Sequence, residues 1–408
     1  MNEAVVLAGG FATRLGDLAA NTPKCLQPVG GRPFIDYLLW NIARHGIRRV
    51  VLSTGWLHEA IEAHVRDLSG LGIDLVFSRE IAPLGTGGAA ALAAPLLTGE
   101  EALILNADSL FDCNYLDLNL FRRSAGADVA IALRRVDDAA RFGAVEVGHD
   151  GVVTRFAEKR AGGPALVNAG AYVVSATWLR ELPPGPGSLE ADAFPALAAS
   201  GRLAGRAYGG FFVDIGLPQT LFEAQRSVPA WRRKPCFFLD RDGVINEDLH
   251  NVHRVQDFHW MPGMPGAIKL LNDAGWLVVV ITNQAGIGRG YYTEREFAEF
   301  SRWIGDQLAS VGAHVDATYH CPHHPTAALG AYLRECDCRK PAPGMFKKAI
   351  AEWEPDLERS VMIGDQPSDL QAAAAVGVRG VLYEGGDLSA LVRELIGESP
   401  PLPTAEVS

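Results

Sequence analysis

"CFFLDRDGVIN" (residues 236–246) runs a block of apolar residues straight into two acids and a glycine. A short apolar run of this kind suits a strand buried on both faces, as in a parallel sheet, and the Asp-Arg-Asp-Gly that follows suits a turn. Open parallel sheets present ligands at the carboxyl ends of their strands. Asp240 and Asp242 therefore stand where such a fold does its chemistry. Two further runs in this half end the same way: "VVITNQ" (279–284) in Thr282 and Asn283, and "VMIGDQPSD" (361–369) in Asp365 and Asp369. "ATYH" (317–320) supplies another strand, and the stretch from Thr293 to Ser310 reads as a helix.

Upstream, "AVVLAGG" (4–10) starts a second unit of the same kind, a strand running into a glycine turn. Strand-like runs at 48–54, 73–78 and 102–108 alternate with helical patterns such as Phe34 to His45. That alternation predicts a mainly parallel sheet with crossover helices. Between the halves lies "RSVPAWRRKP" (226–235), with two prolines and four basic residues. The expected organisation is thus α/β in two domains, residues 1–231 and 232–397, with a disordered tail at 398–408. A chain of 408 residues suits two cores better than one.

Composition narrows the partners. The formal net charge is -11, which argues against a nucleic-acid binder or an anionic-membrane binder, since either needs a basic face. Small phosphorylated ligands need only a local positive pocket. No apolar run approaches the roughly 20 residues that span a bilayer, and the N-terminus lacks a signal-peptide pattern. The expected location is the cytoplasm, where thiols stay reduced and clustered cysteines suggest metal before disulfide.

The strand-end acids of the second half have a direct chemical reading. A carboxylate can attack phosphorus and form an acyl-phosphate, and Asp240 is the candidate nucleophile. Asp242 can protonate the leaving alcohol and then activate water. Carboxylates around a phosphate dianion need a cation, so Mg2+ is expected on Asp240, Asp242 and Asp365. Lys340, Thr282 and Asn283 would hold phosphoryl oxygens. A lone DxDG is more often a solvated turn; the ordered set carries the reading.

Half of the six cysteines lie in "HCPHHPTAALGAYLRECDCRKP" (320–341). Cys321, His323, Cys336 and Cys338 form C-x-H-x12-C-x-C, a donor set suited to tetrahedral Zn2+ with no open position. His324 is an alternative to His323. Such an ion would be structural, pinning the loop that ends in Arg339 and Lys340.

The first half offers a different site. In "LAGGFATRLG" (7–16) the backbone around Leu7, Gly9 and Gly10 can approach a triphosphate, and Arg14 adds charge. Lys24, in "TPKCLQP", can reach phosphate oxygens. Asp108 and Asp214 are strand-end acids from distant segments that could share Mg2+. No nucleophilic side chain is needed if a sugar phosphate attacks the nucleotide itself.

Two resemblances follow. The motifs Asp240-x-Asp242, Thr282, Lys340 and Gly364-Asp365-x-x-x-Asp369 resemble the haloacid-dehalogenase-like phosphatases over residues 235–395. "TNQAGIGRG" and the cysteine loop are similar to those of the D-glycero-D-manno-heptose-1,7-bisphosphate 7-phosphatases. Histidinol-phosphate phosphatases carry a similar loop. This resemblance implies a Rossmannoid fold, prefers His323 as the zinc ligand, and gives Arg339 the distal end of the sugar phosphate. Residues 1–230 resemble the sugar-1-phosphate nucleotidyltransferases, which implies a Rossmann-like fold. There "LGTGGA" (84–89) matches the base-contacting segment, with Gly85, Thr86 and Gly87. "RFGAVE", "FAEK" and "NAGAYVV" match the sugar side, with Gly143, Glu158, Lys159 and Asn168. Ala12 stands where that family has glycine. Together the resemblances imply a bifunctional enzyme of heptose activation. Its expected ligands are sugar phosphates and a nucleoside triphosphate, with a GDP-linked α anomer as product; the alternative is the same two chemistries on another sugar phosphate or with an ADP, CDP or UDP product.

Overall fold

The computed structural model describes residues 1–10, 14–16, 21–68, 70–139, 144–157 and 163–397. The chain forms two compact units that divide between Arg232 and Arg233. Residues expected to join them are instead helical: Pro218–Arg232 is one helix with Pro229 inside it. An internal proline costs a helix about 3 kcal/mol. Burial of the helix's far end offsets that cost. Trp231 stacks on Phe211 at 5.7 Å, meets Trp40 edge-on at 5.6 Å, and donates its indole N–H to Asp112 at 2.9 Å.

Among the described residues, the first unit is built on a nine-stranded sheet. One side is parallel, in the order Glu101–Asn106, Glu3–Leu7, Arg49–Thr54, Asp74–Arg79. The other side departs from the mainly parallel expectation. Ala165–Ser175 pairs antiparallel with Glu101–Asn106, with Val129–Val136 and with Ala144–Val147. Val153–Ala157 extends that edge antiparallel, and Leu203–Tyr208 pairs parallel with Val129–Val136. The reason is burial: "NAGAYVV" is covered on both faces, so it lacks the polar alternation that marks most antiparallel strands. Val5, Ile104, Ile131 and Tyr172 lie in the core beneath the helices.

A separate ribbon matters for function. Phe212–Asp214 pairs antiparallel with Ser109–Phe111, with Asp214 opposite Ser109, and Ile215 N–H donates to Asp108 O at 2.9 Å. Residues about a hundred positions apart are thereby set side by side.

The second unit carries a five-stranded, wholly parallel sheet. Its order is Ala317–Cys321, Leu277–Asn283, Cys236–Leu239, Val361–Gly364, Arg379–Leu382. Cys236–Leu239 is central and every residue in it is buried. The chain builds outward on one side of it and then returns to the other. The crevice between Leu239 and Gly364 is therefore the switch point at which such sheets bind ligands. Helix Glu294–Ala309 starts on a capping box between Thr293 and Glu296, and buries Phe297, Phe300, Ile304 and Leu308 at helical spacing. No helix among the described residues is long and apolar enough to cross a membrane.

Candidate active sites

In the second unit, Lys340 is 3 % exposed, and its Nζ lies 2.9 Å from Asp240 Oδ1 and 2.7 Å from Asp369 Oδ1. The same ammonium donates to Ile281 O at 2.7 Å. Burial would lower the lysine's pKa, but Asp240 and Asp369 raise it, so the group stays charged. Asp240 is pushed up to about 7, first by burial and then by Asp369 and Asp242, with Lys340 opposing. Burial also raises Asp365. One lysine thus under-neutralises this group of acids. Asp240, Asp365 and Asp369 each bring a carboxylate oxygen within 4.8 Å of the others. Asp365 Oδ1 is buried without a hydrogen-bond partner. An all-oxygen donor set, short of positive charge and with an orphaned oxygen, fits a hard divalent cation.

Asp242, expected beside Asp240 on magnesium, lines the same cleft, and its carboxylate is hydrogen-bonded by neighbouring side chains. Arg241 donates Nε and Nη2 to Oδ1 at 3.1 and 2.8 Å, and Nη2 to Oδ2 at 2.8 Å. Asn246 donates to Oδ1 and Gln284 to Oδ2, each at 2.9 Å. Those donors engage the Asp242 carboxylate, and Asp369 is the third acid grouped with Asp240 and Asp365. The turn that allows this needs Gly243: its φ is +88°, and a Cβ there would lie 2.5 Å from Asp365 Oδ2.

Thr282 is buried at its strand end and accepts from Gln284 at 2.8 Å. Asn283 bonds the backbone of Lys340 both ways, accepting from its N–H at 3.0 Å and donating to its carbonyl at 3.2 Å. It sets the loop as well as lining the cleft. Arg339 lines the cleft and donates to His323 O at 3.3 Å. Sequence reasoning passed over Gln284, Arg289 and Tyr292, which also line it. The run "TNQ…GRGYY" holds all three, but nothing in it tells which side chains turn inward.

The cysteine loop gathers as its spacing implied. Cys338 Sγ lies 3.1 Å from Cys321 Sγ, 3.2 Å from Cys336 Sγ and 3.2 Å from His323 Nδ1. All four ligand atoms fall within 4.8 Å of one another. Bonds of about 2.3 Å to a central ion would give tetrahedral edges near 3.7 Å, so the group is sized for one. His324 points elsewhere, its Nδ1 accepting from Ala327 N–H at 3.0 Å and Thr326 N–H at 3.2 Å. Register sets the loop against the acid-lined cleft, because Cys321 pairs with Asn283 and His320 with Thr282.

The first unit's cleft lies at the carboxyl ends of Glu3–Leu7 and Glu101–Asn106. Leu7, Gly9, Gly10, Arg14, Lys24, Gly85, Thr86 and Asp108 all line it, together with Cys25, Glu80 and Asn106. Lys24 Nζ is paired with Asp108. Burial raises the Asp214 pKa and nearby Asp108 raises it further, against Lys24. Two acids sharing one lysine again leave room for a divalent cation. Burial pushes the Cys25 thiol up to about 12, which leaves it an inert wall. Gly87 is not among the lining residues, since its N–H donates to Gly187 O at 2.9 Å. Asn168 spends its amide on Tyr172 Oη at 2.8 Å and on Gly170 N–H at 2.9 Å. Gly143, Glu158, Lys159, Ala12 and the tail from residue 398 lie outside the described residues.

Residues 3–230 match the family described as nucleotidyl transferase. Residues 337–401 match the HAD-hydrolase-like family. The chain belongs to the nucleotidyl transferase family, with a HAD-like phosphatase as its second unit. This nucleotidyl transferase has solved neighbours. The crystal structure of HddC from Yersinia pseudotuberculosis superposes with a TM-score of 0.51 at 28% identity, covering 56% of this chain and 100% of that one. A second HddC structure, with a TM-score of 0.50 and the same coverage, is complexed with GMP-PN. The phosphatase unit is 43% identical to a D-glycero-β-D-manno-heptose-1,7-bisphosphate 7-phosphatase of Rhodopseudomonas palustris, over 41% of this chain and 92% of the relative. It is 37% identical to a D-glycero-α-D-manno-heptose-1,7-bisphosphate 7-phosphatase of Photorhabdus laumondii, over 35% and 77%. The protein is therefore an enzyme with phosphatase and nucleotidyltransferase activities.

Proposed function

We propose that the second unit removes the 7-phosphate of D-glycero-D-manno-heptose 1,7-bisphosphate, and that the first transfers GMP from GTP to the resulting heptose 1-phosphate. The products are phosphate, pyrophosphate and GDP-heptose. The observation that carries the reading is Lys340, buried between Asp240, at the end of the central strand, and Asp369, in the first turn of the helix Pro367–Ala374 that follows the adjoining strand. An ammonium held there beside a strand-end carboxylate is placed to pair with a phosphoryl oxygen.

Asp240 attacks phosphorus and forms an acyl-phosphate, while Asp242 gives its proton to the departing C7 oxygen. Asp242 then takes a proton from water as that water attacks the acyl-phosphate. Phosphate leaves and Asp240 is restored. Lys340 and Thr282 hold the phosphoryl oxygens in place, and Arg339 meets the far phosphate. Mg2+ on Asp240, Asp365 and Asp369 would supply charge neutralisation for an incoming dianion. Zn2+ on Cys321, His323, Cys336 and Cys338 would fix the loop that carries Arg339 and Lys340.

In the nucleotidyltransferase, the sugar's own phosphate attacks the α-phosphorus and pyrophosphate departs, so the protein supplies position and charge. Leu7, Gly9 and Gly10 offer backbone, and Arg14 and Lys24 offer cations. Asp108 and Asp214 would hold a second Mg2+. Gly143, Glu158, Lys159 and Asn168 are proposed for the sugar side by resemblance. GTP rests on the likeness to HddC and its GMP-PN complex. The proposed setting is the cytoplasm, without nucleic-acid or membrane partners.

The test offers both bisphosphate anomers, since the two phosphatase relatives differ in anomer. Each is incubated with the four common nucleoside triphosphates, with histidinol phosphate as a control. Equimolar phosphate and pyrophosphate, with a product of GDP-heptose mass, is expected. Phosphate release with no nucleotide sugar from any triphosphate would overturn the coupled reading.

A further inference from the structure

Helix Gly85–Ala93, "GTGGAAALA", has few means of its own to fix where it starts. It has no side-chain N-cap and no charged residue in its first or last turn. What holds it is a segment that looks like loop punctuation in the sequence, "PGPGSLE" (184–190). The two meet backbone on backbone. Gly87 N–H donates to Gly187 O, and Gly187 N–H donates to Leu84 O, each at 2.9 Å. A Cβ at Gly85 would lie 2.5 Å from Gly187 O, and one at Gly88 would lie 2.3 Å from Gly185 O. Side chains cannot enter such a contact, so its glycines are there for close approach.

One side chain completes it. Glu190 Oε2 accepts from Thr86 Oγ1 at 2.6 Å and from Ser188 Oγ at 3.1 Å. Its Oε1 accepts from Tyr172 Oη at 3.0 Å. Thr86 Oγ1 in turn accepts from Leu189 N–H at 2.9 Å. The Thr86 hydroxyl is thus spent within the protein, although Thr86 lines the nucleotide cleft. Glu190 does not line that cleft. Tyr172 is fully buried on the strand Ala165–Ser175, and receives Asn168 there. Glu190 therefore ties the wall of the cleft to the core sheet.

We propose that Glu190 is a positioning residue of the nucleotide site. Acting through Thr86, it fixes the backbone of Gly85 and Thr86 that meets the nucleobase. The inference rests on reading this cleft as the nucleotide site. Contacts to a nucleobase far from the reacting phosphorus are made equally before and during reaction. Loosening them raises KM and leaves kcat alone.

The test is steady-state kinetics of the full chain with GTP and heptose 1-phosphate, comparing wild type with Glu190→Gln, Thr86→Val and Thr86→Ser. Glu190→Gln and Thr86→Val should each raise KM for GTP about tenfold, with kcat and KM for heptose 1-phosphate within about twofold of wild type. Thr86→Ser, which keeps the hydroxyl, should raise KM for GTP clearly less than Thr86→Val does. An unchanged Glu190→Gln, equal rises in both KM values, or a Thr86→Ser as impaired as Thr86→Val would overturn the proposal. If Glu190→Gln does not fold, the two Thr86 variants decide. A wild type that uses none of the four nucleoside triphosphates would instead refute the reading of the cleft.

Discussion

The two clefts solve one problem, holding phosphate against carboxylates, in opposite ways. In the phosphatase, Asp240, Thr282 and Asp365 stand at the ends of neighbouring strands of one parallel sheet, and Lys340 already sits between Asp240 and Asp369, the latter in the helix that follows one of those strands. In the nucleotidyltransferase, Asp108 follows a strand of the main sheet, while Asp214 arrives on a separate two-stranded ribbon. Lys24 is spent on Asp108. The difference tracks the chemistry. A protein that supplies its own nucleophile needs that atom fixed beforehand. One whose substrate is the nucleophile needs charge and position around two ligands.

That contrast can be broken most sharply at Asp240, the proposed nucleophile. Asp240→Asn should lower phosphate release from the bisphosphate by about four orders of magnitude or more, while pyrophosphate formation from heptose 1-phosphate is unchanged. Asp108→Asn should do the reverse, with a smaller loss of about a hundredfold or more in pyrophosphate release, because no bond is made to that residue. An equal collapse in both variants would erase the distinction. Cys338→Ser should lose stoichiometric zinc, read by metal analysis, and lower the phosphatase unit's melting temperature by several degrees, with nucleotidyl transfer retained. Unchanged metal content would remove zinc from the account.

The smallest effect lies away from both clefts. Glu101, at the end of its strand remote from Asp108, is buried, which alone would raise its pKa. Arg123, Asn119 and Arg122 outweigh this and hold it down at about 2. A depressed carboxyl stabilises the fold above its ordinary range near 4.5, and that contribution fades as pH falls toward 2. Glu101→Gln should cost on the order of 2–3 kcal/mol at pH 7 and flatten the acid limb of a stability-against-pH curve. Thermal melts from pH 7 to 3 would check this, and parallel curves for variant and wild type would contradict it.

Much of the phosphatase was legible because Asp240, Thr282 and Asp365 each end a buried strand, where a run of apolar residues stops at a polar one. "CFFLD", "VVITN" and "VMIGD" each announce strand, end and chemistry together. Asp242's surroundings were not legible. An Asp-Arg-Asp run reads as a solvated turn, yet Arg241 folds back on Asp242 and is buried against Phe297 and Phe300. Asp369 was visible in its motif, but its ion pair with Lys340 joins residues from separate elements and leaves no local signal. In the nucleotidyltransferase, the antiparallel strands were hidden by burial on both faces, and "PGPGSLE" by its resemblance to an ordinary loop. The helix through Pro229 escaped notice because its anchors, Trp40 and Phe211, are distant in sequence.

The most direct test of two independent sites in one chain is complementation in a tube. Asp240→Asn and Asp108→Asn proteins are supplied with heptose 1,7-bisphosphate and GTP, separately and mixed, and nucleotide sugar is measured by mass. Each alone should form almost none, and the mixture should restore GDP-heptose, because one variant makes the 1-phosphate that the other consumes. A mixture as silent as its parts, with both variants folded, would contradict the two-site account.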